Sequence, residues 1–153
     1  MADVLIRFAV PADLGVLSDV FRRSSLSNEG DRVSLLAHPD ALAFSDRAVH
    51  EQRARVAIAD GRIVGFATTL IAGQVSVLED LFVDPDWARR GIGRELVVDA
   101  VGTARRQGAP RMEVTANGHA LGFYEKAGFV LEGVVETRFG PGSRMHLDIA
   151  ARA

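Results

Sequence analysis

"DPDWARRGIGREL" runs from Asp84 to Leu96 and decides how the chain is read. The run before it, "VSVLEDLFV" (Val75 to Val83), has the composition of a strand, and Asp84 and Pro85 end it. From Gly91 to Arg106 the period changes: Ile92, Leu96, Ala100 and Ala104 fall four apart, with Val97 and Val101 beside them, as on an amphipathic helix. Two glycines and three arginines therefore stand where a strand hands over to a helix. The first turn of a helix leaves backbone N–H groups unpaired, and the helix dipole adds partial positive charge there. Gly91 and Gly93 would let a pyrophosphate approach the backbone, and Arg89, Arg90 and Arg94 could add charge-assisted bonds. The same residues suit a tight helix start with exposed arginines, and the loop alone does not separate the two. It is not a P-loop, which requires a lysine followed by Ser or Thr. Nor is it a dinucleotide fingerprint, which needs a third glycine in register at a first βα turn.

Outward from this stretch, "RVAIAD" and "RIVGFATTLIA" flank Asp60-Gly61, a two-residue hairpin signal, and Gly73-Gln74 marks the next turn. "VLIRFAV" reads as a first strand. Pro11 suits an early helical position, and Leu14, Leu17, Val20 and Phe21 recur at helical spacing. "RVSLLAHP" predicts a short second helix that stops before Pro39, while residues from Ser24 to Asp46 are polar and irregular. Gly108 and Pro110 punctuate the end of the long helix. "RMEVTA" is a further strand, and "GHALGFYEKAGF" a short helix stopped at Gly128. Two strands follow, around Val130 to Phe139 and Met145 to Ile149, with "GPGS" as the turn between them. The order predicts a mixed α/β domain around one central sheet.

The 153 residues suggest one domain, over 1–153. Without cysteine there is no disulfide, thiolate metal site or cysteine nucleophile. A net charge of −2 argues against a general nucleic-acid binder. Asp3 and Arg7 spoil a secretory leader, and "IVGFATTLIAG" is too short and mixed to span a bilayer. A cytoplasmic protein with no membrane association is the expectation. His38, His50, His119 and His146 show no metal-ligand spacing, so no metal is expected.

"LEDLFVDPDWARRGIGREL" followed by "NGHALGFYEKAGF" resembles the GCN5-related N-acetyltransferase (GNAT) family. The family's loop pattern of Gln or Arg, two variable residues, Gly, a variable residue, then Gly or Ala falls on Ala88, Arg89, Arg90, Gly91, Ile92 and Gly93. Ala88 departs from it at the first position. The resemblance implies a GNAT-like acyl-CoA N-acyltransferase fold, with one mixed, mostly antiparallel sheet of six to seven strands and about four helices. It implies acetyl-CoA as cosubstrate and a primary amine of a small molecule or peptide as acceptor. It also implies that the loop amides hold the pyrophosphate. The strands ending at Val83 and Ala116 would splay apart, so that Leu81, Phe82 and Val83 offer backbone groups to the acetyl and pantetheine amides. Homodimers are common in such families, and one is kept open here.

For the chemistry, the resemblance places Tyr124, the chain's single tyrosine, as proton donor to the leaving thiolate. A phenol of pKa ~10 faces a thiol of pKa ~8.5. The alternative is packing beside Phe123 and Phe129. Asn117 matches a position that bonds pantetheine, and it equally suits a helix N-cap. By strand alternation Glu79 shares a face with Val75, Val77, Leu81 and Val83, where a carboxylate is costly unless paired or used. This makes it the candidate base, acting through a water. Asp80 points to the opposite face and is the second candidate. Trp87 is expected to anchor the loop by packing. Asp13, Glu29, Asp31 and Asp40 either attract a cationic acceptor or form a solvated face. A non-catalytic acyl-CoA-binding sensor or partner module is the alternative function, and it would need neither Tyr124 nor Glu79.

Overall fold

The computed structural model describes residues 3–27, 29–38, 40, 44–138 and 140–149, and the side chains of 29, 30 and 34 lie outside that set. Strand β1 (Leu5–Phe8) leads through a 3-10 turn at Pro11–Asp13 into α1 (Leu14–Leu26), then α2 (Glu29–Ala37) and α3 (Arg47–His50). A meander of β2 (Ala54–Ala59), β3 (Arg62–Ala72) and β4 (Val75–Val83) follows, and a 3-10 turn at Pro85–Trp87 opens onto α4 (Ile92–Arg106). The chain finishes with β5 (Arg111–Ala116), α5 (Leu121–Lys126), β6 (Val130–Thr137) and β7 (Gly140–Asp148). The seven strands form one sheet in the order β1-β2-β3-β4-β5-β7-β6. The β4–β5 pair is parallel, and β1–β2, β2–β3, β5–β7 and β6–β7 are antiparallel.

Residues cluster into two compact units, Met1–Thr68 with Asp80–Leu96, and Thr69–Glu79 with Val97–Ala153. In the first unit Asp60 and Gly61 adopt φ of 51° and 73°, the two positive values a type I′ hairpin needs. Leu17 and Val20 of α1 are buried with Val49, Val56 and Phe66. The Phe66 ring lies 5.4 Å from Phe44 and 5.7 Å from Phe82, and Phe21 meets Phe82 edge-on at 4.9 Å. Residues Val64 to Thr68 of β3 are all buried, so this strand is covered on both faces. Gly65 is needed there. A Cβ on it would lie 2.9 Å from the Phe82 carbonyl oxygen, 3.1 Å from Ile92 Cγ2 and 3.2 Å from Leu96 Cδ1.

In the second unit β5 pairs with β7 from Arg111–Asp148 to Ala116–Ser143, which buries Met112, Val114 and Met145. The expected glycine stops occur at φ of 78° (Gly108) and 100° (Gly128). The Ala109 amide reaches back to the Ala104 carbonyl (3.0 Å) and the Phe129 amide to that of Tyr124 (3.0 Å), the long closing bond of a glycine-terminated helix.

Several expectations need correction. "GPGS" is not the turn but the start of β7: Gly140 pairs with Thr137, Pro141 with Glu136, Gly142 with Val135 and Ser143 with Val134. Proline is tolerated because β5 pairs with β7 only from Ser143 onward, so Pro141 owes no N–H to that neighbour. The segment from Ser24 to Asp46 is more ordered than its polarity suggests, since α1 runs to Leu26 and α2 begins at Glu29. The short α3 was not expected at all. Asp13 is not on a solvated face: it is buried, with Arg7 Nη1 at 2.8 Å and Nη2 at 3.2 Å, and it also accepts the Val10 amide at 2.8 Å. The helix stop at Pro39, the strand end at Phe139 and the Glu29 carboxylate fall outside the described residues.

Candidate active site

The loop is built on a buried aspartate. Asp84 accepts the Asp86 amide at 2.9 Å, and its carbonyl takes the Trp87 amide at 2.8 Å, which winds Pro85–Trp87 into one 3-10 turn. Its own N–H donates to the Val64 carbonyl at 2.8 Å. Burial pushes the Asp84 carboxyl upward. The Arg23 hydrogen bonds, the Asp86 amide and the charges of Arg23 and Arg62 outweigh that, so its pKa lies below the ordinary carboxylate value. Trp87 is buried as expected, and the Arg90 guanidinium stacks over its ring at 4.7 Å.

Beyond Trp87 the backbone turns left-handed twice, at Arg89 (φ 63°) and Gly91 (φ 82°), on either side of Arg90. Alternation of this kind aims successive N–H groups toward one concavity. Gly91 is there for conformation rather than space, because a Cβ on it would meet nothing within 4 Å. The first α4 bond runs from the Glu95 amide to the Gly91 carbonyl at 3.0 Å. The amides of Ile92, Gly93 and Arg94 therefore precede any intrahelical acceptor. Ile92 is buried and fixes this end of α4, whereas Arg89, Arg90 and Arg94 are exposed. The turn thus brings together amides that precede the helical ladder, open space at the Gly91 Cβ position and three exposed arginines.

Strand β4 supplies the next set. Its parallel ladder with β5 joins Val75–Val77 to Arg111–Glu113, and β4 continues beyond that ladder to Val83. Leu81, Phe82 and Val83 are half-buried. Glu79 is exposed, so the expected cost of a carboxylate on a closed apolar face does not arise. The buried side of β4 is instead that of Ser76 and Leu78. Asp80 is half-buried and accepts the hydroxyl of buried Thr68 at 2.5 Å.

Asn117 and Tyr124 belong to the second unit. The Asn117 Oδ1 accepts the His119 and Ala120 amides, each at 3.1 Å, so its oxygen caps the turn before α5. Tyr124 is buried, edge-on to Phe123 (5.1 Å) and Phe129 (5.4 Å). Burial pushes its phenol well above the ordinary tyrosine value, so it stays protonated throughout the neutral range. Among the described residues no group of three or more His, Asp or Glu is placed to hold a metal ion. Among the described residues no helix is long and apolar enough to cross a membrane.

Two residues with a bearing on the site escaped the sequence reading. Arg23 grips Asp84 from 61 positions away, a distance at which sequence carries no pairing signal. Gly65 had a signal, since a glycine inside a strand run often marks a close backbone approach.

A mixed sheet whose fourth strand feeds a left-handed, amide-rich turn into a long helix is the architecture of acyl-CoA N-acyltransferases. The chain belongs to the GNAT acetyltransferase family, whose family model matches residues 22–129. It is 33% identical over 93 residues to a ribosomal protein bS18-alanine N-acetyltransferase of Salmonella typhimurium, covering 59% of this chain and 62% of that protein. It is 34% identical over 76 residues to a glucosamine 6-phosphate N-acetyltransferase of Trypanosoma brucei brucei, covering 45% and 52%. The chain thus spans between half and two thirds of these relatives. The fold matches that of PaiA N-acetyltransferase from Thermoplasma acidophilum, solved with coenzyme A, at a TM-score of 0.78 and 20% identity over 95% of this chain and 99% of that one.

Proposed function

We propose that the chain, acting as one acetyltransferase domain over residues 1–153, transfers the acetyl group of acetyl-CoA to a primary amine of a small molecule or peptide. The observation that carries this reading is the turn from Arg89 to Arg94, where positive φ at Arg89 and Gly91 precedes three amides without intrahelical acceptors. Such a turn suits a pyrophosphate. The backbone of Leu81, Phe82 and Val83, beyond the β5 ladder, would pair with the pantetheine amides, and the Nδ2 of Asn117 would add a donor. The relatives named for acetyl transfer act on an alanine amine and on a glucosamine 6-phosphate, which is consistent with an amine acceptor.

In the transfer, the amine nitrogen forms the new C–N bond and the C–S bond breaks. The amine's proton leaves to Glu79 through a water, a route its exposure permits. Asp80 is the competing base, with one carboxylate oxygen already engaged by Thr68. The electron pair of the C–S bond goes to sulfur, and the role given to Tyr124 is that of donor to the developing thiolate. Its raised pKa makes complete proton transfer to a thiolate unfavourable, because the phenol is much the weaker acid. A hydrogen bond that strengthens as the thiolate develops is therefore the better description of its role.

The test is thermal shift with acetyl-CoA, followed by thiol release against a panel of primary amines. Stabilisation with release for at least one amine is the expected outcome. Stabilisation without release for any amine would favour the acyl-CoA-binding module, and no stabilisation would sink acetyl-CoA as the ligand.

A further inference from the structure

Asp84 is among the few buried polar residues of the described chain, and every hydrogen-bonding group it has is used. Its backbone ties the turn to β3 and to Trp87, and one carboxylate oxygen caps the turn at Asp86. The remaining capacity goes to Arg23 of α1. Arg23 Nη1 donates to Oδ1 at 3.0 Å and Nη2 to Oδ2, a two-point grip that fixes the carboxylate plane. Arg23 is in turn aimed by Asp19 one helical turn earlier, whose Oδ2 accepts Nε at 2.9 Å, and Asp86 lies 3.8 Å from Nη1. Without Arg23, the buried Asp84 carboxylate would keep one amide and the more distant Arg62 charge. A buried carboxylate stripped of its partner is strongly unfavourable. The turn's other ties are the Asp84 N–H on the Val64 carbonyl and the burial of Trp87, so rotating the carboxylate toward water would strain residues 84–91 and shift Arg90 and the left-handed pair.

We propose that Arg23 is a positioning residue for the pyrophosphate turn: by gripping Asp84 it sets the orientation of the amides that follow, without touching the cosubstrate itself. The proposal rests on the acetyl-CoA reading above and deepens it. It makes a distinction that a general structural role does not. Loss of Arg23 should weaken ligands that carry the pyrophosphate and spare ligands that lack it.

The test compares wild type, Arg23→Met and Arg23→Lys in their binding of acetyl-CoA and of S-acetylpantetheine, which ends before the pyrophosphate. Measurements are made well below each protein's Tm, by calorimetry for the first ligand and NMR titration for the second. For Arg23→Met, the acetyl-CoA Kd is expected to rise about tenfold, the size of one charge-assisted contact's worth of disorder at 1.4 kcal/mol per decade, while the S-acetylpantetheine Kd stays within about twofold. Arg23→Lys keeps a point charge without the planar fork and should fall between the two for acetyl-CoA alone. Equal weakening of both ligands would overturn the proposal, as would no change in either. If wild type binds S-acetylpantetheine and acetyl-CoA equally, the turn does not hold the pyrophosphate and the tie has no role. If wild type binds neither, the acetyl-CoA reading itself falls, a result distinct from the others. Arg23→Lys keeps the comparison decisive should Arg23→Met fail to fold.

Discussion

Gly65→Ala adds one methyl group where three separate elements converge. Its Cβ would sit 2.9 Å from the Phe82 carbonyl oxygen, a backbone atom that cannot swing aside, and 3.1–3.2 Å from Ile92 Cγ2 and Leu96 Cδ1. Ile92 and Leu96 are almost wholly buried, so neither side chain has free space to enter. Forcing a methyl into a packed core costs about 1–3 kcal/mol. Against this, alanine in a strand is favoured over glycine by about 0.5–1 kcal/mol through backbone entropy, and the φ at Gly65 is not in the left-handed region. The difference of these ranges runs up to about 2.5 kcal/mol and centres on about 1 kcal/mol, which for a chain of this size lowers Tm by roughly 2–4 °C. The strain has a direction as well as a size. It pushes either the β4 backbone at Phe82 or the first turn of α4 at Ile92, both assigned above to the cosubstrate. Thermal unfolding with and without saturating acetyl-CoA reads both effects. A lower Tm together with a smaller ligand-induced shift is expected. An unchanged or raised Tm would refute the packing argument, and a lower Tm with the full ligand shift would show that the strain relaxes away from the site.

Tyr124→Phe keeps the edge-on packing and removes the donor, so kcat should fall by tenfold or more, on the order of a lost transition-state hydrogen bond, with acetyl-CoA affinity held; stopped-flow thiol release and calorimetry separate the two. Glu79→Gln and Asp80→Asn identify the base: if Glu79 serves, its variant shows the larger loss of kcat in the thiol-release assay, and loss confined to Asp80→Asn would move the role to that residue. Asp84 and Asp13 both have folded-state pKa values below the ordinary carboxylate value. Their stabilisation is thus complete above pH ~4 and is lost as pH falls through the depressed values, because the unfolded chain binds protons first. Asp84→Asn should therefore lower Tm at neutral pH and flatten its decline below pH ~4, whereas a parallel acid limb would contradict the assignment. Gly108→Ala, at φ 78°, should destabilise by about 1 kcal/mol.

What could be read from sequence was what depends on neighbours along the chain. The Asp60-Gly61 hairpin, the glycine stops of α4 and α5, and the buried stripe of Ile92, Leu96, Ala100 and Ala104 are all local in this sense, and all are found. The failures were contextual. "GPGS" has turn composition, yet whether proline can sit in a strand depends on whether another strand flanks it, and β5 stops short of Pro141. Glu79 was placed correctly by alternation, but alternation gives a face and not its exposure. Asp13 looked like surface charge because its partner Arg7 lies on the preceding strand, and a strand-to-turn ion pair has no periodic signature.

The same limit explains why the loop could be half understood. Its glycines and arginines are what a ligand would meet, and they stand together in sequence. Its rigidity comes from groups that do not: Val64 and Gly65 on β3, and Arg23 on α1. Exposed arginines alone would form a weak, salt-screened patch. Amides held in a fixed turn are a different device, because the cost of orienting them has been met by the fold before any anion arrives. The buried Asp84 carries a negative charge a few residues from a turn suited to anions, which would be counterproductive if that charge were free. Arg23 offsets that charge at the point of burial, sharing its guanidinium with Asp19 and, at 3.8 Å, with Asp86. If the grip of Arg23 on Asp84 orients the turn as proposed, it also offsets a buried negative charge beside it.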